Sequence, residues 1–325
     1  MRFFIVGLGS MGKRRIRNLQ YLKAGEIGGY DIRDERNKEA EEKYNIETVD
    51  NIDSVDLAEF DAIIISTPPD THNEYLRLAI KNKKPAFVEA SVILEGLTRI
   101  NELANKNNVL IAPSCTLRFH PAIRIIKEMV KSGRYGKVTN FSYHSGQYLP
   151  DWHPWEDVKD YYVSKKETGG GREIVPFELT WIVDITGFPK NITGFYGRTM
   201  DVGAEIEDTY AISLDFGTIY GNLLVDVTSR YATRCLILNM EYGQIIWRWD
   251  DDYVRLFDAK KKKWMKQGYH KGKSAADYNE NIIEEMYIEE IQSFIDAIKR
   301  KGVFPNSLDD DIKVLSQLYK MEGSL

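Results

Sequence analysis

Short unbroken apolar runs alternate with longer polar or amphipathic stretches through the first third of the chain. Phe3-Phe4-Ile5-Val6, Ala62-Ile63-Ile64-Ile65, Pro85-Ala86-Phe87-Val88 and Val109-Leu110-Ile111-Ala112 leave no polar face for water. That is the pattern of strands buried on both sides of a parallel sheet. The stretches between them, over residues 11–19, 35–44, 73–82 and 95–107, have helical length. Such alternation predicts an α/β fold with a Rossmann-like, doubly wound parallel sheet. Ligands of such sheets lie beyond the carboxyl ends of the strands.

Near Arg118 the pattern changes. A helix is expected over 121–132, a strand up to Tyr148, and a helix over 173–186 that Pro176 should break or kink. Alternating runs at 209–216, 219–228, 234–241, 244–249 and 253–258 then predict successive hairpins in a mainly antiparallel open sheet with one covered face. Residues 280–300 are amphipathic, with Ile283, Tyr287, Ile291, Phe294, Ile295 and Ile298 on one side, and a last helix is expected over 309–319. The pattern divides the chain into a doubly wound domain over 1–118 and an α+β domain over 119–325.

Composition adds exclusions. At 325 residues, 43% of them apolar, the chain has material for two cores, and no window approaches a membrane span. The first residues run directly into a strand, so no secretory segment is expected. Cys115 and Cys235 lack metal spacing and read as reduced thiols of a cytoplasmic protein, with no metal site. A net charge of −5 argues against a nucleic-acid surface. The basic run Lys260-Lys261-Lys262-Lys263 reads as a solvated hairpin turn.

The chemistry begins at Gly7-Leu8-Gly9-Ser10-Met11-Gly12, between the first strand and first helix. A dinucleotide pyrophosphate needs a glycine for the tight turn, one for close backbone approach and one for helix against strand. The helix N-terminus then offers N–H groups and the positive end of a dipole. Asp31 follows Gly12 by 19 residues, at the end of an expected second strand, where a carboxylate can bond ribose hydroxyls. These features predict NAD, with Arg33 close enough to leave NADP open. The expected cofactor contacts are Gly7, Gly9, Ser10, Met11, Gly12, Asp31, Arg33, Ser66, Thr67, Pro68, His72, Glu89 and Ser91. His72 reads more as a residue orienting the helix after Pro69 than as a direct ligand.

Tyr148-Leu149-Pro150-Asp151-Trp152-His153-Pro154-Trp155-Glu156 concentrates aromatics, acids and a histidine in a non-periodic stretch. Aromatic faces with a few polar groups suit a sugar ring, so Trp152 and Trp155 are expected substrate contacts. Equally, they can pin the loop to its own domain or to a neighbouring subunit. His153 combines a cleft position with a useful pKa.

Taken together the segments resemble the glucose–fructose oxidoreductase / inositol dehydrogenase / MocA (Gfo/Idh/MocA) family. The resemblance rests on Gly7-Leu8-Gly9-Ser10-Met11-Gly12, Ser66-Thr67-Pro68-Pro69-Asp70-Thr71-His72, Arg118-Phe119-His120-Pro121, Ser132-Gly133-Arg134-Tyr135-Gly136-Lys137-Val138, Gly169-Gly170-Gly171 and Met286-Tyr287-Ile288-Glu289-Glu290. It implies a nicotinamide-dinucleotide domain followed by a substrate and oligomerisation domain whose open sheet builds dimers or tetramers. It also implies hydride transfer at a sugar, nucleotide-sugar or cyclitol carbon.

Two departures matter. Where members usually carry Glu-Lys-Pro, with the lysine assisting proton transfer, this chain has Glu89-Ala90-Ser91, and alanine has no proton to give. Where many members place an Asp and a His on the helix after the triple glycine, this chain has Glu173 and Glu178 and no histidine. Glu178, His153 and Tyr148 are therefore the expected proton acceptors, and Arg118, Trp152, Trp155 and Glu178 the expected substrate contacts. Pairing of Glu178 with Arg118 or Arg172 is the purely structural alternative, and Glu173 has a similar one. Beside a dehydrogenase, the sequence leaves open a lyase or epimerase with transiently reduced NAD, and a sensor or scaffold that binds NAD without catalysis.

Overall fold

The computed structural model describes residues 1–152, 156–272 and 283–325. In chain order the first elements are β1 (Arg2–Val6), α1 (Ser10–Tyr21), β2 (Glu26–Tyr30), α2 (Asp34–Tyr44), β3 (Glu47–Thr48), β4 (Ala62–Ile65), α3 (His72–Lys81), β5 (Ala86–Val88), α4 (Leu97–Asn107) and β6 (Ile111–Pro113). Then come α5 (Pro121–Lys131), β7 (Val138–Tyr148), α6 (Gly171–Thr186), β8 (Asn191–Gly197), β9 (Thr209–Asp215), β10 (Tyr220–Asp226), β11 (Thr228–Met240), β12 (Gly243–Arg248), β13 (Tyr253–Asp258), β14 (Lys263–Gly268), α7 (Glu284–Ile298) and α8 (Leu308–Met321).

The chain forms two compact units. The first, 1–115 with 287–312, holds the parallel sheet in the order β3-β2-β1-β4-β5-β6. That is the doubly wound order of a dinucleotide fold, which reverses direction between β1 and β4. The apolar runs of β1 and β4 are buried throughout, as their unbroken composition requires.

The boundary expected after residue 118 falls at 115/116, and the chain returns to the first unit for 287–312. The return has a physical basis. Phe294 and Phe304 pack against Phe87 of β5 at ring distances of 5.9 and 6.2 Å, and Glu290 is buried among polar groups of this unit. From Tyr287 onward the amphipathic stretch therefore belongs to the nucleotide unit's core rather than to the second domain.

The second unit, 116–286 with 313–325, carries an eight-stranded sheet ordered β14-β13-β12-β11-β7-β10-β9-β8. Only β7 and β10 run parallel, and every other neighbour is antiparallel. Phe141, Tyr143 and Ser145 of β7 are buried on one face, while Asn140 and Ser142 lie exposed on the other. The lysine run forms the turn between β13 and β14, and Asp258 accepts hydrogen bonds from the Lys260 and Lys261 N–H groups.

Helix α6 continues through Pro176, so the break that the sequence allowed does not occur. A proline near a helix start forfeits one hydrogen bond, and here the helix sits in a dense core, with Val175 and Leu179 fully buried beside it.

Candidate functional site

In the first unit the glycine turn has the shape its spacing predicts. Gly7 has φ +88°, and a Cβ there would stand 2.6 Å from the Ser66 carbonyl oxygen. At Gly12 a Cβ would lie 1.9 Å from the Gly7 carbonyl oxygen, so α1 packs on the turn as only glycine allows. Around Gly9 the atoms a Cβ would meet all belong to the Arg36 guanidinium, the closest at 3.3 Å. Gly9 leads directly into α1 with no side-chain cap. An open backbone approach, a helix N-terminus and a nearby cation fit a pyrophosphate.

Asp31, the residue that follows β2, is buried. Its carboxylate accepts from the Leu8 N–H at 2.7 Å and from the Arg33 N–H at 3.0 Å, and pairs with Arg36 Nη1 at 3.4 Å. Asn37 pins the Asp31 backbone from both sides. The cation expected here was Arg33, but its guanidinium pairs with Glu35 at 2.6 Å on the surface. Arg36, in the first turn of α2, is the cation that reaches the Asp31 carboxylate.

Beyond β4, Thr67 is held by its own loop. Thr71 Oγ1 donates to Thr67 Oγ1 at 2.8 Å, and His72 Nε2 lies 2.8 Å from the Thr67 carbonyl oxygen. His72 is buried, and burial lowers its pKa. It therefore serves the turn Ser66-Thr67-Pro68 from behind as a neutral ring. The buried Ser66 hydroxyl has no partner among the described residues.

After β5, Glu89 is tied to Arg15 of α1 through Nε at 2.5 Å and Nη2 at 2.9 Å. Arg15 also donates to Glu290 at 2.9 Å, and the other Glu290 oxygen accepts from Ser114 Oγ at 3.0 Å and Cys115 N–H at 2.6 Å. The Arg15 guanidinium stacks on Phe87. Burial disfavours its charge, but Glu89 and Glu290 outweigh that and raise its pKa. Ser91 Oγ accepts from the Ile93 N–H at 3.1 Å, so the Glu89-Ala90-Ser91 turn is fixed at both ends.

In the second unit, Glu178 occupies a closed polar core. It is fully buried, with Tyr143 and Trp181 donating to Oε2 at 2.9 Å each, and Ser145 and Arg234 donating to Oε1 at 2.7 and 3.0 Å. Its cation is thus Arg234, not Arg118 or Arg172. Arg118 donates to the Thr180 carbonyl, and Arg172 pairs with Glu322 at 2.9 Å. Four donors on two oxygens is the setting of a carboxylate that organises a core, not of one that exchanges a proton.

Glu173, on the first turn of α6, differs from it. Oε1 accepts from Tyr162 at 2.7 Å, while Oε2 is shut from solvent with no hydrogen-bond partner among the described residues. Burial, partly opposed by the Tyr162 hydrogen bond, pushes the carboxyl up to about 7. Tyr148 lies under the Arg230 guanidinium, 3.8 Å from its ring centre. The Trp152 indole N–H is buried without a partner among the described residues. His153 and Trp155 lie outside the described residues. Among the described residues no cluster of three metal-ligating side chains occurs, and no helix is long and apolar enough to cross a membrane.

Comparison with known proteins agrees with this geometry. Residues 1–114 match the model of an oxidoreductase family with an NAD-binding Rossmann fold, and residues 123–246 match the Gfo/Idh/MocA C-terminal domain. The chain is 28% identical over 142 residues to myo-inositol 2-dehydrogenase of Thermotoga maritima, a match covering 42% of each protein. The aligned part thus spans about two fifths of that curated relative's length.

Among solved structures, an oxidoreductase from Agrobacterium radiobacter in complex with NAD+, L-tartaric acid and magnesium superimposes with a TM-score of 0.87. It is 16% identical, with 100% of this chain and 96% of that one covered. Levoglucosan dehydrogenase in complex with NADH gives 0.84 at 14% identity, with 100% and 96% covered. At such identities these structures speak for the fold alone. The chain belongs to the Gfo/Idh/MocA oxidoreductase family, and its first unit is an NAD-binding Rossmann domain.

Proposed function

We propose that the protein is an NAD-dependent oxidoreductase that moves a hydride between nicotinamide and a hydroxyl-bearing carbon of a sugar, nucleotide sugar or cyclitol. The observation that carries the reading is the intact cofactor cradle: open backbone at Gly9, Asp31 fixed by Leu8, and a braced Glu89-Ala90-Ser91 turn. Gly7, Gly9, Ser10, Met11 and Gly12 would take the pyrophosphate and Asp31 the adenosine ribose. Ser66, Thr67, Pro68, Glu89 and Ser91 would border the nicotinamide. When bound, the dinucleotide supplies the hydride acceptor. The second unit would bind the polyol, with Arg118, Trp152 and Trp155 as proposed contacts. His153 and Tyr148 remain proposed proton acceptors, whereas the saturated Glu178 is reassigned to holding the core. Absorbance of NADH on mixing protein and NAD+ with a panel of sugars, nucleotide sugars and cyclitols tests the reading. No change with any member would overturn it.

Ala90 favours a second reading, a binding protein or sensor that holds NAD without turnover. Under it, Ala90→Lys would bring measurable hydride transfer to a chain otherwise inert. Under the first reading it leaves turnover unchanged or lower.

We further propose a homodimer or homotetramer in the cytoplasm, assembled through the open face of the second unit's sheet. That face exposes Tyr220, Leu224 and Ile237 beside an amide ladder from Gln244 through Asn239 to Asn140. Ile237→Lys should shift the mass measured by sedimentation toward the monomer. An unshifted oligomer would place the interface elsewhere.

A further inference from the structure

Strands β13 and β14 form the hairpin at one end of the second unit's sheet, with β14 on the edge. Residues 259–272, which hold its turn and β14, contain six lysines and no acidic residue, in a chain whose net charge is −5. The fold does not call for these charges. Asp258 closes the turn with a buried carboxylate that accepts from the Lys260 and Lys261 N–H groups, so their side chains are not needed for it. Lys262 sits at φ +52°, a left-handed conformation that glycine or asparagine adopts with less strain.

On one face of the hairpin, Arg255 and Lys266 stand directly opposite one another in register. Like charges so placed repel, and neither has an ion-pair partner among the described residues. Each rests on the ring of a diagonal neighbour across the hairpin. Arg255 lies over Trp264, 4.6 Å from its ring centre, and Lys266 lies over Tyr253 at 3.8 Å. Phe257 steadies Trp264 from the other strand, with ring centres 5.3 Å apart. Two cations are thus held side by side without a counter-ion. Beside them, no strand among the described residues pairs with the outer edge of β14, so a row of backbone N–H and C=O groups stays open there.

We propose that this edge docks an extended acidic segment of a partner protein, whose backbone pairs with β14 and whose carboxylates meet Arg255 and Lys266. The lysines that turn away a second copy of the same edge attract such a segment. Backbone pairing is open to a peptide and not to a lipid headgroup. The rings of Trp264 and Tyr253 already carry this protein's own cations, which leaves them poor platforms for stacked bases. The net charge of −5 also repels a long polyanion or an anionic surface, whereas a short segment feels only charges within roughly 8 Å. Arg255 stands two strands beyond Ile237, roughly 10 Å across the sheet from that part of the surface proposed for self-association.

The test needs no substrate and does not depend on the oxidoreductase reading. The probe is a fluorescein-labelled peptide of alternating glutamate and valine, titrated with the full chain and followed by anisotropy. It should bind at low salt and weaken as salt rises. Arg255→Gln combined with Lys266→Gln should weaken it about tenfold, with NAD+ affinity unchanged as the check on folding. Lys299→Gln combined with Lys301→Gln removes the same charge at exposed positions of the other unit and should leave peptide binding as it is. N-methylation of the peptide's amides should also weaken it, since a strand added to β14 needs them.

Absence of binding at low salt overturns the proposal, and so does an equal loss in the two double variants. An N-methylated peptide that binds as well as the unmodified one overturns strand addition. Tighter binding of oligothymidylate, or of phosphatidylserine vesicles, that is lost in the Arg255/Lys266 variant would assign the surface to nucleic acid or membrane instead. A fall in sedimentation mass in that variant would make a second copy the occupant and overturn the assignment to a partner.

Discussion

Arg15 and Glu89, 74 residues apart, are joined by two hydrogen bonds inside the nucleotide unit. The first stands on the helix that would cradle the pyrophosphate, and the second opens the turn proposed beside the nicotinamide. One buried ion pair would thus brace both halves of the proposed cofactor site, with Glu290 as its third member.

Arg15→Met is expected to destabilise the protein by about 3–5 kcal/mol, because it leaves two carboxylates facing one another without their cation. Chemical denaturation followed by circular dichroism measures this. A loss under about 1 kcal/mol would mean that the pair is incidental.

Cofactor choice should depend on Asp31 and Arg36, not on Arg33. NAD+ is expected to bind at least tenfold tighter than NADP+, a difference of about 1.4 kcal/mol. Asp31→Ser should close that gap, and adding Arg36→Gln should reopen it by removing the cation that meets a 2′-phosphate. Arg33→Gln should change neither affinity. Fluorescence titration with both dinucleotides decides among these, and a gap that closes only when Arg33 is intact would return the role to that residue.

Glu178→Gln should cost stability before it costs chemistry. Arg234 would lose its charge partner in a closed site, a change worth about 3 kcal/mol. Urea unfolding should show the loss, while turnover measured on the still-folded protein stays within a few-fold of wild type. A catalytic defect of a hundredfold with unchanged stability would restore Glu178 as the proton acceptor.

His120 caps α5, accepting the Ala122 N–H through Nδ1, and packs against Trp247 and Tyr269. Burial first, then Arg234 and Lys271, lower its pKa to about 3. A histidine depressed on folding contributes stability above its unfolded pKa that is lost as pH falls, so the loss begins near pH 6.5. By pH 5 the loss from this group should reach about 2 kcal/mol. His120→Asn, which keeps a capping oxygen, should show a shallower fall in urea midpoint between pH 7 and pH 5. Equal slopes would mean that the ring accepts a proton without cost.

Both sheets were legible because burial on two faces, or on one, writes itself into composition. The first unit's strands were visible as unbroken apolar runs, and the second unit's inner strands as alternation. The strands the sequence did not reveal include both edges of the second sheet, β8 and β14. Edge strands are bonded on one side, and β14 carries Lys263 and Lys266, charges that discourage a further strand from adding. Such residues read as loop.

The cofactor loop was legible because glycine is required there by contact, and contact follows from sequence-local geometry. Arg36, Arg234 and Glu290 were not, since each acts on a partner whose position only the folded chain determines. Glu173 and Glu178 show the limit most plainly. Two glutamates five residues apart on one helix look alike in sequence, yet one meets four donors and the other a single tyrosine.

The return of residues 287–312 to the first unit gives the protein an order of completion. Arg15 is synthesised early, and its partner Glu290 follows 275 positions later. Until that segment leaves the ribosome, Phe87 lacks the rings of Phe294 and Phe304, and the Ser114 hydroxyl and Cys115 N–H lack their acceptor. The nucleotide unit is begun first and sealed near the end, so a nascent or truncated chain holding only the N-terminal strands and helices would carry a cofactor domain with its core still open.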